Sequence, residues 1–253
     1  EEVVPEKKWR LPEVMDKPFT LPELDDEGIY MFRNEGQGQL SLAPGYSLRS
    51  ADQDEGYDYG AHGFVFEVRG GDTPMVISGM QICSADGSPY TYKVHTAPCS
   101  WVECWKDPAR WTICGGGNRL HIPDYAHGEY GSVPFVSGGV MLEAGQTRSF
   151  LVHTSDDIAG VGYKMIGAVS RVTNMECVWE DPGLSRLSMS LGDDITADKR
   201  LFVTDQNKHL KIISGRRVLS RDPWSAEDVD EEDRQLDNRV RAFLGVIEYN
   251  LME

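Results

Sequence analysis

Apolar side chains recur at every second position in one segment of this chain after another. Phe64, Phe66 and Val68 share one face of an extended run, as do Tyr92, Val94 and Thr96. Phe150, Val152 and Thr154 repeat the pattern, and Leu187, Met189 and Leu191 repeat it again. A period of two places such residues on one side of a β-strand, whereas a helix would scatter them around its axis. Between these runs stand Gly70-Gly-Asp-Thr-Pro74, Ala85-Asp-Gly-Ser-Pro89, Gly115-Gly-Gly-Asn118 and Gly138-Gly139, all read as turns. Many short strands joined in this way predict an all-β fold, an antiparallel β-sandwich over residues 28–253 with at most one or two short helices. The best helix candidate is Ser225-Ala-Glu-Asp228, which resembles a capping box and opens an acidic stretch. The run Arg241-Ala-Phe-Leu-Gly-Val-Ile-Glu-Tyr249 reads as a closing strand with Phe243, Ile247 and Tyr249 on one side. Gly245 on that side marks a bulge or a close approach of backbone.

Residues 1–27 have a different grammar. Pro5, Pro12, Pro18 and Pro22 remove backbone donors and turn their predecessors away from helix, so the segment reads as an extended arm. Leu11-Pro-Glu-Val-Met-Asp16 is echoed by Leu21-Pro-Glu-Leu-Asp-Asp26. Leu11, Val14, Leu21 and Leu24 would anchor such modules in two similar grooves of a partner. A flexible acidic leader with chance similarity is the competing reading.

Charge narrows the partners. With a net charge of -16 and no basic patch, the chain would be repelled by a phosphate backbone, so no nucleic acid is expected. No apolar run reaches the ~20 residues needed to span a bilayer as a helix. The chain begins at Glu1 with no Met and no signal-like segment, which reads either as a targeting segment removed or as a trimmed chain, so the address is lost. Five cysteines is an odd number for a fully paired framework and favours a reducing compartment.

The motifs of chemistry are sparse. Gly-x-Ser-x-Gly, Gly-x-Gly-x-x-Gly, the phosphate-binding loop and His-Glu-x-x-His are all missing, so no catalytic residue and no cofactor are assigned. Cys99, Cys104 and Cys114 with His121 lack the second tight pair that structural zinc wants, so no metal is assigned either. Asp52–Asp58, Asp156-Asp157 and Asp193-Asp194 are oxygen-rich and read as solvated acidic surface before calcium loops. His95 and His153 alternate with apolar positions and read as solvent-side residues. Trp101, Trp105 and Trp111 form the densest unusual patch, suited to a subunit interface or core, or to a stacking platform for sugar rings.

Two segments carry a resemblance. Gly139-Val-Met-Leu-Glu-Ala-Gly-Gln-Thr-Arg-Ser-Phe-Leu-Val-His-Thr154 and the closing run Arg241–Tyr249 resemble paired motifs of a β-sandwich family abundant in diatoms and related algae. Met75–Ile82 and Tyr92–His95 fall where that family places its first core strands. The pyrenoid shell proteins that sheathe the Rubisco matrix belong to this company. The resemblance implies a chloroplast location and a non-catalytic structural protein that self-assembles with its own copies or related shell subunits. The interface would use the arm, through Leu11, Val14, Leu21 and Leu24, and the rings of Trp101, Trp105 and Trp111. The alternative is a carbohydrate-binding module, with calcium as an optional partner.

Overall fold

The computed structural model of this protein describes residues 45–50, 60–125, 128–136, 138–165, 176–180, 200–224, 236 and 240–252. The arm with Leu11, Val14, Leu21 and Leu24 lies outside them. So do the Leu187–Leu191 alternation, the Asp52–Asp58 and Asp193-Asp194 clusters, and the capping box at Ser225–Asp228.

Two antiparallel sheets face each other, as the alternation predicts. The smaller is ordered β1 (Tyr46–Arg49), β15 (Gly245–Leu251) and β4 (Met75–Ile82), with β7 (Gly131–Pro134) and β8 (Val140–Leu142) sharing the far edge of β4. The larger runs β2 (Gly60–Ala61), β10 (Val161–Met165), β14 (Arg241–Phe243), β13 (Leu210–Val218), β3 (Gly63–Gly70), β9 (Thr147–His153), β5 (Pro89–Ala97) and β6 (Thr112–His121). Beside β13 it also carries β12 (Arg200–Gln206), and beside β12 it carries β11 (Cys177–Glu180). Among the described residues the helical elements are one α-helix, α1 (Trp101–Cys104), and a 3₁₀ turn at Pro108–Arg110. Among the described residues no helix is long and apolar enough to cross a membrane.

The main core lies between the sheets. Phe66 stands opposite Phe150 across the β3–β9 ladder, and its ring lies 4.3 Å from that of Phe243 and 6.0 Å from that of Phe150. Met75, Ile77, Met80, Ile82, Ile247 and Tyr249 close the core from the smaller sheet. Each such side chain is worth roughly 1.5–3 kcal/mol when fully buried. In β4 the inward residues change parity between Ile77 and Met80. The pairing with β15 shifts there: Glu248 faces Gly79 and Tyr249 faces Ile77, which leaves Ser78 as the extra residue of a bulge.

Two expectations are corrected. The closing run is two strands in two sheets, not one strand: β14 ends at Phe243, Leu244 crosses, and β15 begins at Gly245. Phe243, Ile247 and Tyr249 still share the core, because the two sheets enclose it from opposite sides. The crossing demands close packing, since a Cβ on Gly245 would meet the Gln81 carbonyl and sit 2.6 Å from the Phe243 ring. Gly115-Gly-Gly117, expected as a turn, is the middle of β6. Gly116 has φ +138°, and a Cβ there would collide with the Tyr92 carbonyl. A Cβ on Gly115 would lie 2.7 Å from the Pro134 carbonyl. The glycines let β6 thread between β5 and the continuation of β7, where Val136 N donates to Cys114 O at 2.8 Å.

Candidate functional site

The outer face of the larger sheet is where unusual side chains gather. On it β3 presents Val65 and Glu67, β9 presents Ser149, Leu151 and His153, and β5 presents His95 and Ala97, all in register. A layer built from residues 99–111 covers this face. Ser100 caps α1, with its Oγ accepting from Val102 N at 3.3 Å, and Asp107 caps the 3₁₀ turn, with Oδ1 accepting from Ala109 N at 3.2 Å. These two short turns fold the segment back on itself and aim three indoles at the sheet.

Trp101, Trp105 and Trp111 are therefore inside the chain, 4%, 7% and 7% exposed. They pack with Val65, Leu151, Leu201, Ile213 and Val218 in a second apolar cluster. Trp105 meets Trp111 edge-on at 6.2 Å, and Trp111 Nε1 donates to Cys104 O at 3.0 Å. Trp224, 113 residues beyond Trp111, tilts against both rings and stands edge-on to His95 at 4.9 Å. At this exposure the three rings leave little aromatic face open to solvent.

The polar groups under this layer are electrostatically unusual. Glu67 accepts from Ser100 Oγ and from Trp101 N at 3.1 Å. Burial pushes its carboxyl above the ordinary range, while those two hydrogen bonds and the nearby charge of Arg69 oppose the shift. The Arg216 guanidinium lies over the Trp101 ring at 5.3 Å. His95 and His153, expected on the solvent side, are buried, because the tryptophan layer covers the face they occupy. Burial, then the neighbouring His153 and Lys93 charges, lowers the pKa of His95 to about 4. Burial also lowers that of His153 to about 4, against the hydrogen bond it shares with Ser220 O at 3.2 Å. Both are neutral imidazoles at pH 7, and His153 donates through Nε2.

The remaining candidates separate. Cys114 belongs to the main core and Cys104 to the outer layer, while His121 is exposed at the end of β6. Among the described residues no three His, Cys, Asp or Glu side chains stand together as metal ligands. Asp156 and Asp157 hold backbone of this chain: Asp156 Oδ2 accepts from Thr91 N of β5 at 2.6 Å, and Asp157 Oδ1 accepts from Ala159 N of its own loop at 2.9 Å.

Glu67, Trp224 and the burial of the two histidines escape the sequence reading. One signal was present. Val65 and Leu151 occupy the positions between the inward residues, so β3 and β9 are apolar on both parities, the mark of strands covered on both faces.

Comparison with protein-family models, with curated proteins and with solved structures finds no match. Residues 139–154 cover β8 and β9, and residues 241–249 cover β14 and most of β15.

Proposed function

We propose that the protein is a non-catalytic assembly module that joins copies of itself, or related shell subunits, by strand pairing at a sheet edge. The observation that carries this reading is the state of β6. It is the last strand of the larger sheet and ten residues long, and its outer edge is bridged at Gly115 by Phe135. From Gly116 to His121 no described strand pairs with that edge. Ile113 beside it is 58% exposed, the highest value among large apolar side chains of the described residues. An unpaired edge is a template for another chain, with main-chain hydrogen bonds giving affinity and alternate side chains giving selectivity.

The arm is the segment suited to cross between copies, with Leu11, Val14, Leu21 and Leu24 as its anchors. The buried tryptophans would support the contact from beneath, and Ile113 takes the exposed place. A net charge of -16 sets copies against one another, so assembly should strengthen with salt. The sequence resemblance supplies the setting, a pyrenoid shell inside a chloroplast.

Sedimentation across protein and salt concentration, with negative-stain microscopy of the heavy fraction, tests the proposal. The full chain should form regular heavy species that grow with salt and are lost in Ile113→Lys. A monomer under every condition overturns assembly, and heavy species that survive removal of residues 1–27 overturn the role of the arm.

A further inference from the structure

The tryptophan layer holds two thiols side by side. Cys99 is partly exposed in the loop after β5, fixed there because Ser149 Oγ donates to its carbonyl at 2.6 Å. Cys104 is buried at the end of α1, with Sγ 3.0 Å from Ser100 O and 3.9 Å from Cys99 O. The Cys104 thiol is within hydrogen-bonding reach of the Cys99 thiol. The Arg110 side chain, itself paired with Asp107 at 3.2 Å, also reaches the Cys99 thiol. Burial pushes the thiols of Cys83 and Cys114 up to about 12 and raises that of Cys104 as well, so Cys99, the partly exposed cysteine of these four, is the one open to an oxidant.

A reachable thiol beside a cation, with a second thiol waiting behind it, is the arrangement of a reversible redox pair. We propose that Cys99 and Cys104 form a hydroperoxide-sensitive dithiol whose disulfide re-seats the tryptophan layer. The Cys99 sulfur, with the Arg110 guanidinium beside it, attacks the distal oxygen of a hydroperoxide. The O–O bond breaks, an S–O bond forms, and the leaving alkoxide or hydroxide departs as alcohol or water with the thiol's proton. Cys104 sulfur then attacks the sulfenic sulfur of Cys99. The S–S bond forms, and hydroxide leaves with the Cys104 proton as water. Two thiols and one hydroperoxide thus give one disulfide, one water and one alcohol or second water. A dithiol reductant reverses it by exchange, becoming a disulfide itself. The mechanical link to the layer is short. Cys104 O accepts the Trp111 indole hydrogen bond, and Trp101 N, in the same turn of helix, is held by Glu67.

The test uses the full reduced chain and stoichiometric hydrogen peroxide. Val94–Lys106 is a single tryptic peptide that carries both cysteines, so the bond reads out as the loss of two hydrogens from that peptide. The expected result is this loss, reversed by dithiothreitol and accompanied by a shift in tryptophan emission. Cys104→Ser should accumulate a sulfenic acid at Cys99 that dimedone traps, and the exposed substitution Arg110→Gln should slow oxidation severalfold without changing the fold. Oxidation of the intact chain that spares this peptide overturns the proposal. So does an unchanged rate in Cys99→Ser, a change that leaves the buried thiol in place.

Discussion

On its inner face the larger sheet carries Phe64, Phe66, Phe150 and Ile212 against a second sheet. On its outer face the same strands carry Val65, Glu67, His95 and His153 beneath a layer of tryptophans. Both faces are buried, but by different means. The inner face is closed by regular strands whose own alternation supplies the matching surface. The outer face is closed by two short turns and by indole area, and an acid and two imidazoles are trapped under it. Both faces thus contribute apolar burial, and the outer face adds buried titratable groups that make its contribution depend on pH.

Deleting the ring of Phe66 breaks the inner face at its centre, and Phe66→Ala should cost about 3–5 kcal/mol in urea unfolding. An equally large loss at an exposed inner-sheet position would contradict the placement of the core. The next effect belongs to the outer face. The folded-state pKa values of His95 and His153 are lowered to about 4 from 6.5, so their contribution is fully present above 6.5. It is lost as pH falls through the window from 6.5 to 4, by roughly 3 kcal/mol for each histidine. His153→Gln keeps a donor for Ser220 O and should remove a large part of that acid slope. An unchanged slope would show that the imidazoles are not buried in the folded state. The smallest effect is that of Glu67. Its folded pKa is raised above 4.5, so its contribution is present below 4.5 and lost as pH rises through the folded value. Glu67→Gln should match the native chain near pH 4 and exceed it by about 1 kcal/mol or less at pH 7. A clear loss at pH 7 would mean that the charged carboxylate, through Ser100 and Trp101, is worth more than its burial costs.

The inner face was legible in the sequence because Phe64-Val-Phe-Glu-Val68 and Phe150-Leu-Val152 state their own period. The outer face was not. Its cover comes from residues 99–111 and 224, which have no shared periodicity and meet only through the fold. The same limit explains Gly115-Gly-Gly117, where glycine serves a tight passage between neighbouring strands and not a reversal of the chain. It explains Leu244 too: a strand that changes sheets keeps a continuous apolar pattern, because both sheets look onto one core. In β4, Ser78 shows the converse, with one bulged residue making a real strand look out of phase.

The position of β15 sets an order of events during synthesis. It pairs on one side with β4, roughly 170 residues earlier, and on the other with β1, roughly 200 residues earlier. Until residue 251 has emerged from the ribosome, β1 has no place in the smaller sheet and β4 keeps a bare edge. Loop-closure entropy then has to be overcome in a single late step, which slows folding and lengthens the time that apolar strands stand open. A domain wired in this way needs shielding while it is being made, and -16 units of charge spread along the nascent chain would help keep neighbouring polysomes apart.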